Sequence, residues 1–306
     1  MRKSVIPEDV NRINELAEMV LCEKTYDYIE RLGGLTNHTY KLTMSNNENY
    51  VIRIPGDGTE ELINRVHEKI STQLACRLGI DASMLYFGEN GEKVTCYIND
   101  ARTMSPESMR DEENVVKVAG VLRKLHSCKE NTRVPFEVFD MALSYEKIIK
   151  DNKVALYEDY DSIKNKIMQI KDTIDQAGIS EKVPCHNDPL CENWILSGAG
   201  QLYLIDWEYA GMNDGMWDLA DVSIESGYSS ELDQMLLEAY LEHEPSVNEK
   251  ERFEANKLYL DFLWTLWGKA RVPFDGDAME AYAAERYERL KKNLWKFEKA
   301  FEVLTI

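Results

Sequence analysis

Basic residues are scarce in this chain, and their scarcity argues against several kinds of partner. The 306 residues include 36 Lys and Arg against 55 Asp and Glu, which gives a formal net charge of -19. A surface this acidic repels phosphate backbones and anionic lipid headgroups, so we expect neither a nucleic-acid partner nor a membrane partner. The same charge favours cationic ligands, although acidic residues also serve solubility alone. The charge is therefore a weak indication of the substrate.

Long apolar runs and cysteine motifs are also missing. No stretch approaches the roughly 20 apolar residues that a membrane-spanning helix needs. Near the N-terminus, Arg2 and Lys3 are followed by Pro7 and two acids, so the apolar core of a signal peptide is absent. The six cysteines form no CxxC pair and no spacing typical of zinc sites. We therefore expect a cytoplasmic protein with reduced thiols and no structural zinc.

Hydrophobic periodicity divides the chain into two parts. Short β-rich runs occur near 26–29, 39–42, 50–54, 84–87 and 93–97, together with predicted helices over about 9–22 and 60–77. Beyond residue 99 the pattern is helical, near 107–127, 145–176, 230–241, 246–269 and 277–301, with short strands near 194–196 and 202–205. The sequence therefore predicts an α+β fold with an N-terminal nucleotide-binding lobe over residues 1–98, whose sheet is small and antiparallel. A larger, mainly helical lobe is predicted over residues 99–306.

The strongest chemical signal is an Asp followed by two further polar residues at fixed places. Asp188 lies in a His-Asn-Asp run, Asn193 follows five residues later, and Asp206 ends an apolar strand. Phosphoryl transfer needs a carboxylate that orients the attacking hydroxyl and accepts its proton, and oxygen ligands that hold Mg²⁺ against the phosphates. Alternatively, the first piece is an Asx turn and the second a strand end. Both pieces in this order, after a β-rich lobe, favour Asp188 as catalytic base with Asn193 and Asp206 as metal ligands.

The segment after Asp206 carries a family resemblance. The run 205–211, Ile-Asp-Trp-Glu-Tyr-Ala-Gly, and the run 217–220, Trp-Asp-Leu-Ala, are similar to the second signature of the choline/ethanolamine kinase family. This family is a branch of the kinase-like phosphotransferases, which include aminoglycoside kinases. The resemblance extends from about Gly33 to the last helix and implies a two-lobe protein-kinase-like fold that uses ATP and Mg²⁺. It also implies structural roles for His186 and for Asp218, which would fix the catalytic loop.

The N-terminal lobe contains candidate nucleotide-binding residues. Glycines let backbone N–H groups approach phosphates, so Gly34, with Thr36 and Asn37 as additional donors, is expected to contact them. The loop lacks the Gly-Lys-Ser/Thr of a Walker A motif, and such a loop is often a simple turn. Arg53 is the candidate phosphate-binding cation and Glu68 its partner, as in the choline kinase branch, although an Arg–Glu pair can also be surface decoration.

The connector after the fifth β-rich run is the expected site of adenine binding. By resemblance, backbone groups of Cys96 and Ile98 would contact the base. Backbone contacts leave little side-chain signature, so this expectation depends on the resemblance alone.

Aromatic residues in the last third point to the phosphoryl acceptor. Trp264 and Trp267 lie on one helical face, and Tyr287 lies on the next helix. Such a set is core in most proteins. The family's choline pocket, however, uses a Trp-x-x-Trp pair and a Tyr from the following helix. A quaternary ammonium donates no hydrogen bonds and is held by aromatic faces, so this set is a candidate choline pocket.

Acidic and polar residues are expected to complete that pocket. By resemblance, Glu225 would lie near the ammonium group, and Glu208 and Tyr209 would also contribute to substrate binding. Met212 and Met216 depart from the family, which often has Tyr there, so the pocket could be looser. The resemblance implies a kinase that converts choline to phosphocholine, with ethanolamine, thiamine or aminoglycoside kinases as alternatives. A nucleotide-binding pseudokinase is a further alternative, although Asp188, Asn193, Asp206 and Arg53 are all present.

Overall fold

A computed structural model describes residues 4–23, 25–33, 37–56, 63–178 and 181–301. The helices are α1 (Pro7–Leu21), α2 (Arg65–Arg77), α3 (Pro106–Met109), α4 (Glu112–His126), α5 (Val138–Asp151), α6 (Tyr160–Ala177), α7 (Gly215–Ser226), α8 (Ser230–Leu241), α9 (Val247–Asp275) and α10 (Asp277–Phe301). The strands are β1 (Tyr28–Gly33), β2 (Asn37–Thr43), β3 (Asn49–Pro55), β4 (Met84–Phe87), β5 (Lys93–Cys96), β6 (Arg102–Thr103), β7 (Lys182–Cys185), β8 (Trp194–Leu196), β9 (Leu202–Leu204) and β10 (Gly211–Asp214).

Two compact units make up the chain. Unit 1 comprises Met1–Ser105 and Cys191–Gly211, and unit 2 comprises Pro106–Leu190 and Met212–Ile306. The predicted division by chain order, 1–98 and 99–306, thus differs from these units mainly in the segment 191–211. The reason is hydrogen bonding: β8 pairs with β6 and β9, and the Leu204 N–H donates to Ile80 O at 3.0 Å.

Unit 1 is built on a five-stranded antiparallel sheet in the order β1-β2-β3-β5-β4. Alternating side chains of β2, Tyr40 and Leu42, point to one face of the sheet because successive residues of a strand face opposite sides. There they form one buried cluster with Ile13 and Leu16 of α1. The N-terminal helix, which the apolar spacing predicted, therefore packs on the sheet.

Helix α2 begins with a side-chain cap that orders its first turn. The Asn64 side chain accepts hydrogen bonds from the N–H groups of Val66 and His67 at 3.1 Å. This cap fixes the helix start at Arg65, five residues later than the start near 60 predicted from periodicity. As a result, Arg65 and Glu68 lie in the same turn and on neighbouring positions of the helix surface.

Unit 2 is mainly helical, and α9 and α10 form its longest pair. Helix α9 starts with a capping box between Ser246 and Glu249 and is buried along most of the stretch from Phe253 to Ala270. Helix α10 follows directly after Gly276. Strands β7 and β10 pair and bracket the segment that holds Asp188.

Several predicted helices were wrong in extent. The single helices predicted over 107–127 and 145–176 are each two helices, α3 with α4 and α5 with α6. Helix α7 was not predicted at all. None of the helices in the described part of the chain is both long and apolar enough to span a membrane.

Candidate active site

Arg53 lies at the centre of a charged cluster in unit 1. Its Nη2 lies 2.5 Å from Glu68 Oε1 and donates to Gly91 O at 2.9 Å. Its Nη1 lies 3.7 Å from Asp206 Oδ1 and 3.6 Å from Glu208 Oε1. The expected Arg53–Glu68 ion pair is therefore present and buried, while a contact with phosphate remains a prediction.

A second arginine binds the same carboxylates. Arg65 Nη1 lies 2.7 Å from Glu68 Oε2 and 2.8 Å from Glu208 Oε1. The Asn37 side chain also donates to Glu208 Oε1, at 2.8 Å. Glu208 thus belongs to the charged cluster of unit 1. The sequence motifs give no signal for Arg65 beyond its place in the first turn of α2.

Asp206 has the properties of a metal ligand. Although 39% of its side-chain area is exposed, its Oδ1 is buried and has no hydrogen-bond partner among the described residues. Ligand atoms of Asp206, Glu68 and Glu208 lie within 4.8 Å of one another. Burial, with Glu208 acting in the same direction and Arg53 against it, raises the pKa of Asp206 to about 6. A hard cation such as Mg²⁺ fits this set of carboxylate oxygens, because it would compensate their charge.

The remaining nucleotide and metal candidates are placed as follows. Asn193 ends a 3₁₀ turn, and its backbone oxygen accepts the N–H of Ile205 at 2.9 Å, next to Asp206. The Cys96 N–H donates to Ser83 O at 2.9 Å, and Ile98 follows in the half-buried connector after β5. Gly34 and Thr36 lie outside the described residues. The proposed roles of these residues in nucleotide and metal binding stay predictions.

In unit 2, the residue before the candidate base is held through its backbone N–H, its carbonyl and its side-chain oxygen. Asn187 has a left-handed backbone, with φ 67°. Its N–H donates to Asp218 Oδ1 at 2.7 Å, and its carbonyl accepts from Trp217 Nε1 at 3.0 Å. Its side-chain oxygen accepts from Asn213 Nδ2 at 2.9 Å. This network fixes the backbone from which the Asp188 side chain projects.

Asp218 is itself held by residues that sequence reasoning missed. Besides Asn187, it accepts the His186 N–H at 2.8 Å, so the expected contact of Asp218 with the catalytic loop is present. His126 Nε2 lies 3.0 Å from Asp218 Oδ2, and His126 Nδ1 lies 2.9 Å from the Tyr240 hydroxyl oxygen. His186 is fully buried, and its Nδ1 accepts the Asp188 N–H at 3.3 Å, which agrees with a structural role.

Three aromatic rings meet between α9 and α10. Trp264 and Trp267 lie edge to face with ring centres 6.0 Å apart, and Trp267 meets Tyr282 at 5.6 Å in the same manner. Tyr287 does not join them. It stacks on Tyr157 at 4.0 Å, and its hydroxyl donates to Asp159 Oδ1 at 2.7 Å.

The approach of the two helices explains why Tyr282 is the third ring. A Cβ atom at Gly268 would lie 2.9 Å from Tyr282 Cδ1 and 3.0 Å from Ala283 Cβ, so the contact requires glycine. In the sequence, Gly268 permits a close approach of another helix but does not single out Tyr282. Tyr209, by contrast, is half-buried in the turn after Asp206, in unit 1.

Glu225 is paired with arginines of α10. Its Oε1 lies 2.8 Å from Arg286 Nη1 and 3.4 Å from Arg289 Nη2. Arg289 Nη2 also binds Asp261 Oδ1, at 2.7 Å. Sequence reasoning assigned Glu225 to the acceptor's ammonium group but did not include the two arginines that neutralise it.

The chain is similar to known proteins along most of its length. The family model described as choline/ethanolamine kinase matches residues 29–270. A choline/ethanolamine kinase family protein from Mesorhizobium loti is 30% identical, with a TM-score of 0.84, over 96% of this chain and 98% of that one. The choline kinase LicA from Streptococcus pneumoniae is 31% identical, with a TM-score of 0.78, over 94% of this chain and 99% of that one.

A plant relative is named for ethanolamine instead of choline. A probable ethanolamine kinase from Arabidopsis thaliana is 28% identical over an alignment of 298 residues, gaps included, that covers 86% of this chain and 79% of the relative. Together with the family match and the two-lobe protein-kinase-like fold, these similarities establish the class of enzyme. The chain belongs to the choline/ethanolamine kinase family and is a kinase-type phosphotransferase.

Proposed function

We propose that this protein transfers the terminal phosphoryl group of ATP to the hydroxyl of choline and forms phosphocholine. The observation that carries this proposal is the aromatic group of Trp264, Trp267 and Tyr282 between α9 and α10. Aromatic faces attract a quaternary ammonium that cannot donate hydrogen bonds. Tyr282 takes the place that the sequence assigned to Tyr287, because Tyr282 contacts Trp267 and Tyr287 does not. The similarity to a choline kinase supports the same acceptor.

Asp188 acts as the catalytic base in this proposal. Its carboxylate orients the acceptor's hydroxyl and takes its proton while the new phosphorus–oxygen bond forms and the bond to the ADP oxygen breaks. The network around Asn187 and Asp218 holds the Asp188 backbone still, so the carboxylate keeps its position during the reaction. His186 is fully buried and is not a second base.

The cluster of unit 1 binds the nucleotide phosphates. Arg53 has buried Nε and Nη1 atoms without hydrogen-bond partners among the described residues, and these atoms are suited to phosphate oxygens. Asp206 and Asn193 would hold Mg²⁺, and Glu208 lies close enough to Asp206 to assist them. When bound, Mg²⁺ neutralises negative charge on the phosphates. Glu68 keeps the Arg53 side chain in place through their ion pair.

An assay of ADP release across a panel of acceptors tests the proposed activity. The purified chain with Mg-ATP is offered choline, ethanolamine, thiamine and kanamycin, and Asp188→Ala serves as the control for background hydrolysis. We expect the highest kcat/KM with choline. A higher value with ethanolamine, which the plant relative's name favours, would move the assignment to that acceptor. No release above the Asp188→Ala background with any acceptor would favour a nucleotide-binding pseudokinase.

A tryptophan substitution tests the aromatic pocket itself. Trp264→Ala removes a buried ring beside Trp267, and we expect KM for choline to rise by about tenfold or more, since a desolvated cation–π contact is worth about 2 kcal/mol. Trp295→Ala is the matched control, because Trp295 is 57% exposed on α10. If Trp264→Ala left the KM of every acceptor unchanged, the choline assignment would be wrong.

A further inference from the structure

One face of α7 carries a row of three carboxylates. Asp218, Asp221 and Glu225 are spaced three and four residues apart, so they lie along the same side of the helix. Asp218 is bound by the catalytic loop, and Glu225 is bound by α10. Asp221 lies between these two contacts along the helix and is 1% exposed.

Asp221 is the member of this row whose ionised form is opposed by most of the charges around it. Its Oδ2 is buried and has no hydrogen-bond partner within the residues that the structure describes. The charges that act on it are mostly of its own sign: Glu225, Asp188 and Asp218 oppose its ionisation, and Arg286 favours it. Burial and these acids raise the pKa of Asp221 well above its ordinary value.

The arginine near Asp221 is already engaged by other acids. Arg286 and Arg289 face Glu225 and Asp261, which makes a cluster of two positive and two negative charges. Such a balanced cluster offers little net attraction to an incoming cation. Glu225 is therefore a poor source of the charge that recognises an ammonium group, although the sequence alone pointed to it.

Asp221 also shares its surroundings with the candidate acceptor pocket. The guanidinium of Arg286 lies 4.8 Å from the ring centre of Tyr282, the third ring of the aromatic group, and pairs with Glu225, one turn of α7 from Asp221. Asp221 is thus within electrostatic range of both the candidate base and the aromatic wall. Burying a carboxylate among other acids is costly to the fold, and Arg286, which Glu225 and Asp261 share, supplies only part of the positive charge it needs. A cationic ligand would supply the rest.

We propose that Asp221 is the specificity-determining residue that selects a positively charged acceptor, through attraction between its buried carboxylate and the acceptor's ammonium group. In this proposal the rings of Trp264, Trp267 and Tyr282 contact the groups attached to the nitrogen and select for their shape. Asp221 distinguishes a cation from a neutral alcohol of the same shape. This inference rests on the proposed function, since it concerns the acceptor pocket of the same reaction.

The test compares choline with 3,3-dimethylbutan-1-ol, in which carbon replaces the charged nitrogen and the shape is kept. The enzyme with its ordinary Mg-ATP is assayed with both alcohols as the unsubstituted chain, as Asp221→Asn and as Glu231→Gln. Glu231 is an exposed acid at the start of α8, so its substitution removes the same charge without touching the pocket. KM for ATP and the thermal midpoint are measured for each variant.

We expect Asp221→Asn to raise KM for choline by about tenfold or more, which corresponds to about 1.4 kcal/mol. KM for the neutral alcohol, KM for ATP and all constants of Glu231→Gln stay close to those of the unsubstituted chain. An equal loss with both alcohols, or an unchanged preference for choline, overturns the role of Asp221 while leaving the kinase activity intact. No phosphorylation of choline by the unsubstituted chain would instead contradict the proposed function.

Discussion

Three residues to which we assign a role in binding share one property, a buried polar atom without a hydrogen-bond partner in the described part of the chain. Among the described residues, Oδ1 of Asp206, Nη1 of Arg53 and Oδ2 of Asp221 are all buried without a hydrogen-bond partner. Leaving a buried polar group unsatisfied costs about 1–3 kcal/mol. A ligand with the opposite charge would remove that cost, so these three atoms are candidates for contact with a metal, a phosphate and an ammonium group.

Substitution of Asp188 and substitution of Asp206 are expected to impair different steps, catalysis and Mg-nucleotide binding. Asp188→Ala removes the base, so we expect kcat to fall by about 10²–10⁴-fold with Mg-nucleotide affinity largely kept. Asp206→Ala removes a metal ligand from the cluster with Glu68 and Glu208, so Mg-nucleotide affinity itself should fall. Isothermal calorimetry with a non-hydrolysable ATP analogue measures both affinities. Equal nucleotide affinity in the two variants would contradict this division of roles.

Asp221 is expected to make stability depend on pH in a defined direction. Because its pKa is raised in the folded state, the folded chain binds more protons than the unfolded chain, and stability is lost as pH rises above the unfolded pKa of about 3.9. Asp221→Asn removes this loss. We therefore expect the variant to unfold at a temperature a few degrees higher at pH 8 and at nearly the same temperature at pH 4.

Thermal unfolding followed by circular dichroism at both pH values checks this dependence. Glu231→Gln is again the control, because an exposed acid has little effect on the folded state. A variant that is less stable than the unsubstituted chain at pH 8 would mean that Asp221 has a stabilising partner in the folded protein.

The residues that could be predicted from the sequence are those whose chemistry fixes their spacing. Asp188, Asn193 and Asp206 could be proposed as site residues because phosphoryl transfer needs a base and oxygen ligands in a fixed order, and their roles stay predictions. Tyr282 and Asp221 were not, because their importance depends on which helices meet in space. The choice between Tyr282 and Tyr287 follows from the contact of α9 with α10, and periodicity places both on the same helix without ranking them.

At the scale of helices, burial decided which elements were predictable. Helix α10 was predicted at its observed bounds and α9 up to residue 269 of its end at 275, because both are long and α10 keeps a polar face. Helix α7 was missed because nearly all of its residues are buried, so it shows no amphipathic pattern. Its start and end are instead set by local signals, the Asp214 side-chain cap and Gly227 with φ 64°.

The close contact of α9 and α10 at Gly268 gives a prediction at this scale. Gly268→Ala forces Tyr282 and Ala283 away, and such overpacking costs about 1–3 kcal/mol. We therefore expect lower stability and a higher KM for the acceptor, with KM for ATP unchanged, as measured by chemical unfolding and steady-state kinetics.

Gly120→Ala is the matched control for that substitution. Gly120 lies within α4 and has no atom within 4 Å of the position where its Cβ would be. The same chemical change there should stabilise the chain by about 0.5–1 kcal/mol and leave both KM values as they are. If the two alanine variants behaved alike, the helix contact would not control the pocket.

At the scale of the whole molecule, the residues with proposed roles are divided between the two units. Unit 1 holds the cluster of Arg53, Asp206 and Glu208, and unit 2 holds Asp188 and the aromatic group. The order of a β-rich lobe and a helical lobe was predictable from periodicity. The assignment of residues 191–211 to unit 1 was not predictable from periodicity. It depends on pairing between β6 and β8, which lie about 90 residues apart in sequence.

Phosphorus NMR of the complete reaction tests the central claim most directly, since it separates transfer to an alcohol from hydrolysis of ATP. The unsubstituted chain is mixed with Mg-ATP and choline, and Asp188→Ala is run in parallel. We predict that the γ-phosphate resonance of ATP is replaced by a phosphomonoester resonance that coincides with added phosphocholine, and that Asp188→Ala produces none. Appearance of inorganic phosphate alone, or an unchanged ATP spectrum, would contradict the account.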